Sequence, residues 1–256
     1  MWMEVTFNVA YLLVVWGLVV VMVLQSDRVT PEDRQVARLV RWAFALLALG
    51  DTGHVGFRVL AYARGDMETT FGFFGQEFGL VGLGALSTAV TVTFFYVLVL
   101  EVWRMRFSKQ YGWFEYLLLA AAGVRLLLMI PAANQWNSTV PPQPWSLYRN
   151  VPLTLLGLGA AYLILRDAHQ AGDRAFTWIG ISILISYAMY LPVILFVQQV
   201  PTIGMLMIPK TMAYVAIGFI AYGALYRQPV GKPQPASEAW QQSRPPAEAV
   251  RPDGPR

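Results

Sequence analysis

The chain has 256 residues, no cysteine and only two histidines. The first absence excludes disulfides, thiolate metal sites and cysteine nucleophiles. The second argues against a zinc centre, which wants three or four ligands, because only His54 and His169 are available and they fall in separate segments. Charge is also scarce. Charged residues make up 13% of the chain and hydrophobic ones 56%, against about 25% charged in a soluble domain. No G-x-S-x-G elbow, H-E-x-x-H pair or phosphate-cradling glycine loop occurs, so those hydrolase, metalloprotease and nucleotide signatures are missing. No metal site and no cofactor is implied. The net charge of +4 gives no reason to expect nucleic acid, since the basic residues sit in loops where membrane topology accounts for them.

What the chain does have is long apolar runs. They cover approximately Val5–Leu24, Trp42–Tyr62, Glu77–Val102, Trp113–Ala133, Val151–Leu165, Ala175–Val197 and Ile203–Tyr226. About 20 apolar residues cross the roughly 30 Å of a hydrocarbon core, so the expected fold is all-α, a bundle of seven transmembrane helices over residues 1–227. Val5–Leu24 has no basic segment before it and no small-residue cleavage site after it. It therefore reads as a retained span and not a signal peptide. The segments after spans 1, 3 and 5, together with the C-terminal tail, hold 14 of the 19 basic residues. Arg64 and Arg149 lie on the opposite side, and Arg58, Arg125 and Lys210 inside spans. Cytoplasmic loops carry the positive excess, which predicts an outside N-terminus and a cytoplasmic C-terminus. Residues 228–256 hold seven prolines among polar residues and are expected to form a disordered tail. Trp113, Trp136, Trp145, Tyr148 and Trp178 fall near span ends, where aromatic rings sit at the headgroups.

An ionisable side chain inside a membrane is costly and marks a site by default. Asp51, His54 and Arg58 are spaced i, i+3, i+7 on span 2, within about 60° of arc. Gly50, Gly53 and Gly56 around them admit a close helix neighbour. Span 3 begins at Glu77 and offers a small-residue face in Gly84, Ser87, Thr88 and Thr91. Arg125 lies just past the middle of span 4, with Asn134 and Trp136 closing that span outside. Arg149 and Asn150 open span 5, and Pro152 suits a first helical turn. In span 7 Pro209-Lys210 is expected about two turns in, as a break tolerated where it lines a wet cavity, with Tyr214 one turn deeper. All these groups project between the midplane and the outer face. The expected site is one polar pocket, open outward, made by Asp51, His54, Arg58, Glu77, Arg125, Asn134, Arg149, Lys210 and Tyr214.

Three kinds of function compete for that pocket. A purely structural ion-pair network, Asp51 with Arg58 or Arg125 and Glu77 with Lys210, would balance its charges. Here two acids face four bases, so a small anionic or amphiphilic ligand is the better expectation, bound or transported, with membrane lipids as the surrounding partners. An intramembrane enzyme would use Asp51 to orient His54 as general base or acid. A photoreceptor is the third alternative. Lys210 in the last span, with Tyr187, Tyr190 and Pro192 in span 6, resembles the retinal-binding lysine and aromatic-proline pattern of microbial rhodopsins. Span 3, however, lacks a central acid as counterion, and Lys210 sits near the outer end of its span.

Four stretches carry a broader resemblance: Gly50-Asp51-Thr52-Gly53-His54, Pro131 to Trp136, Tyr148-Arg149-Asn150-Val151-Pro152 and Met207 to Tyr214. Together they resemble an uncharacterised family of bacterial seven-helix membrane proteins over spans 2 to 7. That resemblance implies the seven-helix fold and a bacterial plasma-membrane location, and it implies no activity or residue role.

Overall fold

A computed structural model describes residues 2–65, 70–73, 75–139 and 142–227. The predicted tail from residue 228 lies outside the described residues. Seven α-helices are present: α1 (Trp2–Leu24), α2 (Arg34–Ala63), α3 (Leu80–Arg106), α4 (Trp113–Leu128), α5 (Gln143–Ala171), α6 (Arg174–Phe196) and α7 (Met207–Tyr226). A hairpin of two short strands, β1 (Thr70–Phe73) and β2 (Gln76–Gly79), joins α2 to α3. Among the described residues five segments are long and apolar enough to cross a membrane: α1, α3, α5, α6, and α7 together with the 3-10 turn Pro201–Leu206 before it. α2 falls short in apolar character because it carries Asp51, His54 and Arg58. α4 falls short in length, its 16 residues spanning about 24 Å at 1.5 Å each.

Four expectations need correction. Glu77 does not open span 3; it lies on β2, exposed and in register with Gly72. The alternation of phenylalanine and glycine there favours strands, and Gly75 at φ 73° supplies the left-handed turn that glycine tolerates best. α5 starts at Gln143 and runs for 29 residues, so Pro152 sits inside it and not in its first turn. α4 stops at Leu128, and Ala132–Asn134 forms a 3-10 turn beyond it. The irregularity of span 7 comes before Pro209: the 3-10 turn Pro201–Leu206 gives way to α-helix at Met207, and Pro209 falls in the first turn of α7.

Small residues set the α2–α3 seam. A Cβ on Gly50 would lie 1.8 Å from Thr91 Oγ1, and one on Gly84 would lie 2.9 Å from the carbonyl oxygen of His54. Thr88 Oγ1 uses the closeness to donate to the Gly50 carbonyl at 3.1 Å. The far end of the bundle is tied by charge. Arg106 bridges Asp33 at 2.5 Å and Asp173 at 2.9 Å, and Asp173 also caps α6 by accepting from the Phe176 amide. Buried Asp167 accepts from Trp103 Nε1 and Arg166 Nη2, each at 2.8 Å, with Lys109 at 3.4 Å. In the loop after α3, Tyr111 donates to Glu101 at 2.6 Å. Burial and that acceptor push its phenol well above the usual range.

The seam makes a sharp prediction. Gly84→Ala drives a methyl against backbone and should cost about 1–3 kcal/mol. Gly56→Ala meets nothing within 4 Å and should be neutral or stabilising by about 0.5–1 kcal/mol. Thermal melts followed by far-UV circular dichroism in detergent check both, and equal midpoints would mean the seam is not tight.

Candidate functional site

The end of the bundle opposite the Arg106 cluster encloses a cavity of about 810 Å³. Seven of the nine residues expected from sequence line it: Asp51, His54 and Arg58 of α2, Arg125 of α4, Arg149 of α5, and Lys210 and Tyr214 of α7. Glu77 and Asn134 do not. Glu77 is exposed on the hairpin, and Asn134 is fully buried behind the Arg149 wall.

On the α2 wall, Asp51 accepts from Tyr11 Oη of α1 at 2.7 Å and from Thr88 Oγ1 of α3 at 3.5 Å. The helical stripe and the glycine seam together place it there: α3 comes close enough for Thr88 to reach across. His54 Nδ1 is buried without a hydrogen-bond partner. Asp51 and His54 share no hydrogen bond, so the oriented pair that acid–base catalysis would use is not formed.

Tyrosines make the opposite wall. The Lys210 Nζ stands 4.7 Å from the ring centroid of Tyr190 and 5.3 Å from that of Tyr214, where ring quadrupoles attract a cation. The rings are held in turn. Tyr214 and Tyr96 hydroxyls bond at 2.8 Å, Tyr190 donates to Asn150 Oδ1 at 3.1 Å, and Tyr187 donates to the Leu153 carbonyl at 2.9 Å. Gly157 makes room for Tyr187, since a Cβ there would lie 2.0 Å from its hydroxyl. The expected Glu77–Lys210 pair is absent. Among the described residues no carboxylate lies within 4.0 Å of Lys210, Arg125 or Arg149, although Asp51 is within electrostatic reach of Lys210.

Arg149 is fixed from behind. Its guanidinium lies 4.5 Å from the Trp136 ring centroid, and Nη1 donates to Asn134 Oδ1 at 3.1 Å. Asn134 donates to the carbonyls of Leu128 and Pro131 at 2.7 and 3.0 Å, and Trp136 Nε1 to that of Met129 at 3.0 Å. Gln135 between them takes φ 50°. Trp136 is thus an internal platform for Arg149, 5% exposed, and not part of a headgroup belt. Trp113, Tyr148 and Trp178 do face outward.

Arg125 is the outlier. It is 2% exposed, and its Nε and Nη1 have no acceptor. Arg149 and Lys210 both stand within electrostatic reach of it. Sequence reasoning missed Tyr11 altogether and gave Tyr190 no place in the pocket. The available signal was Asn8 and Tyr11 at i, i+3, just where α1 turns apolar toward Leu24, since both line the cavity.

Asn134→Ala removes three hydrogen bonds from a buried group and takes away the partner of the Leu128 carbonyl and of Arg149 Nη1, while the Pro131 carbonyl keeps the Asn134 backbone N–H. It should cost about 1–3 kcal/mol and loosen Arg149. A melting midpoint unchanged from wild type would show that the turn is held by other contacts.

Comparison of the chain with protein families, curated proteins and solved structures finds no match. Function has to be read from the cavity itself.

Proposed function

We propose that this chain is a seven-span protein of the bacterial plasma membrane that binds or carries a small anionic or amphiphilic molecule in the Arg125 cavity. Its N-terminus and the cavity face outward, and its C-terminus lies in the cytoplasm. The observation that carries this reading is the Arg125 guanidinium, buried beside an 810 Å³ cavity with two nitrogens lacking an acceptor. A buried charge without a partner costs several kcal/mol, and a bound anion removes that cost. Arg149 and Lys210 add to the same field, while Phe7, Leu47, Val92 and Leu153 give an apolar part of the ligand somewhere to lie. The distribution of basic residues supports the orientation, and α2 and α4 pack in one bundle with the five apolar helices.

Native mass spectrometry of protein extracted from its own membrane tests the binding. An anionic molecule should copurify and be lost in Arg125→Ala, because truncating one partner of a buried charge pair costs about 2–5 kcal/mol. If no such molecule is seen and Arg125→Ala leaves stability unchanged, the charges serve packing alone. Topology has a separate check, clean because the chain lacks cysteine. A membrane-impermeant maleimide added to intact cells should label Thr139→Cys and spare Gln110→Cys; the reverse pattern inverts the orientation. Retinal added to purified protein should give no visible absorbance band. A band abolished by Lys210→Ala would replace the anion reading with a Schiff-base pigment.

A further inference from the structure

Resting on the anion-binding reading above, we infer that the ligand's charged group is a tetrahedral oxyanion of the phosphate-monoester type, not a carboxylate. Two independent features lead there. The first is charge. Arg125, Arg149 and Lys210 bring three formal positive charges, and Asp51, within reach of Lys210, offsets one. Two remain. Arg58 has a contact of its own and is left out of that count. A carboxylate neutralises one of the two, whereas a phosphate monoester carries about −1.5 to −2 at pH 7.

The second feature is direction. The three cations come from three helices, α4, α5 and α7, and all three line the cavity. Arg149 is braced by Asn134 and Trp136, and Lys210 by Tyr190 and Tyr214. Neither is free to swing onto one plane. Arg125 needs acceptors for both Nε and Nη1, which lie on different edges of the guanidinium. A carboxylate presents two oxygens in one plane and pairs with one edge of an arginine. A phosphate monoester presents three terminal oxygens pointing apart, enough to offer separate oxygens to the two edges of Arg125 and a third to a neighbouring cation.

The same chemistry has two sources, a free phosphate and a lipid headgroup, and the test separates them. Purified full-length protein in uncharged detergent is titrated with inorganic phosphate, a monoacyl phosphate monoester, the fatty acid of matched chain length, and the matched lysophosphatidylcholine. Binding is read by calorimetry and by the shift in melting midpoint. The expected result is that the monoacyl phosphate binds about tenfold or more tighter than the fatty acid or the choline ester, a gap of about 1.4 kcal/mol. Inorganic phosphate competing at similar concentration identifies a free phosphate as the ligand, and its failure to compete identifies the headgroup. Arg125→Lys keeps the charge and loses the planar donor set, so phosphate-ester affinity should fall about tenfold with helical content intact. Lys210→Met should also weaken it, and the four-ligand comparison on wild type holds even if Arg125→Lys does not fold. A fatty acid binding as tightly as the phosphate ester overturns this inference and leaves the anion reading standing. Equal binding of the choline ester assigns the affinity to the chain and overturns it too. Binding of none of the four overturns both.

Discussion

Holding a positive charge away from water without a counter-charge is the constraint around which the upper bundle is arranged. Each of the three cations meets it differently. Lys210 leans on two aromatic faces, and Arg149 lies on Trp136 with one nitrogen on Asn134. Arg125 has neither device for Nε and Nη1. Cation–π contact is worth about 0.5–2 kcal/mol, well below the several kcal/mol of desolvating an ion. The aromatic platforms therefore position the cations more than they neutralise them. Such a cluster is a poor way to stabilise a bundle, and that imbalance is what the anion-binding proposal answers.

The supporting shell explains how those positions are kept. Asn134, Trp136 and Gln135 form a turn whose hydrogen bonds run to the carbonyls at the end of α4, and Gly82 gives the Trp136 carbonyl the space to approach α3. The Gly50, Gly53 and Gly84 contacts bring α2 against α3, which lets Thr88 reach Asp51. Tyr11 then completes the Asp51 environment from α1. Asp51 is thus seated from α1 and α3, Lys210 from α6, and Arg149 from the turn after α4, so this arrangement exists only in the assembled bundle.

How far the sequence led depended on whether a feature was periodic. The Asp51–His54–Arg58 stripe and the Gly84/Thr88 and Ser87/Thr91 faces follow from 3.6 residues per turn, and both appear as read. Helix interiors were legible for the same reason. Glu77 was misplaced because apolar content alone cannot tell a short Phe-Gly hairpin from the start of a helix. α5 was cut short because Arg149, Asn150 and Pro152 look like a boundary, whereas tertiary contacts to Trp136, Asn134 and Tyr190 carry the helix through them. Trp136 looked like a headgroup anchor because nothing local says which side of a turn a ring will face. Tyr11 was lost inside a segment judged only by its hydropathy.

The two ends of the molecule are tied in different ways. At the far end, Arg106 clamps the starts of α2 and α6 onto the end of α3, and Asp167 joins α5 to the same point. At the near end, the same helices stand around open volume. Paired charge thus sets the spacing of α2, α3, α5 and α6 at one end, while at the other the helices are joined by hydrogen bonds such as Gln143 Nε2 to the Ile194 carbonyl at 3.0 Å. Under the anion-binding proposal, filling the cavity changes contacts at one end of the bundle and leaves the charge clamp at the other untouched.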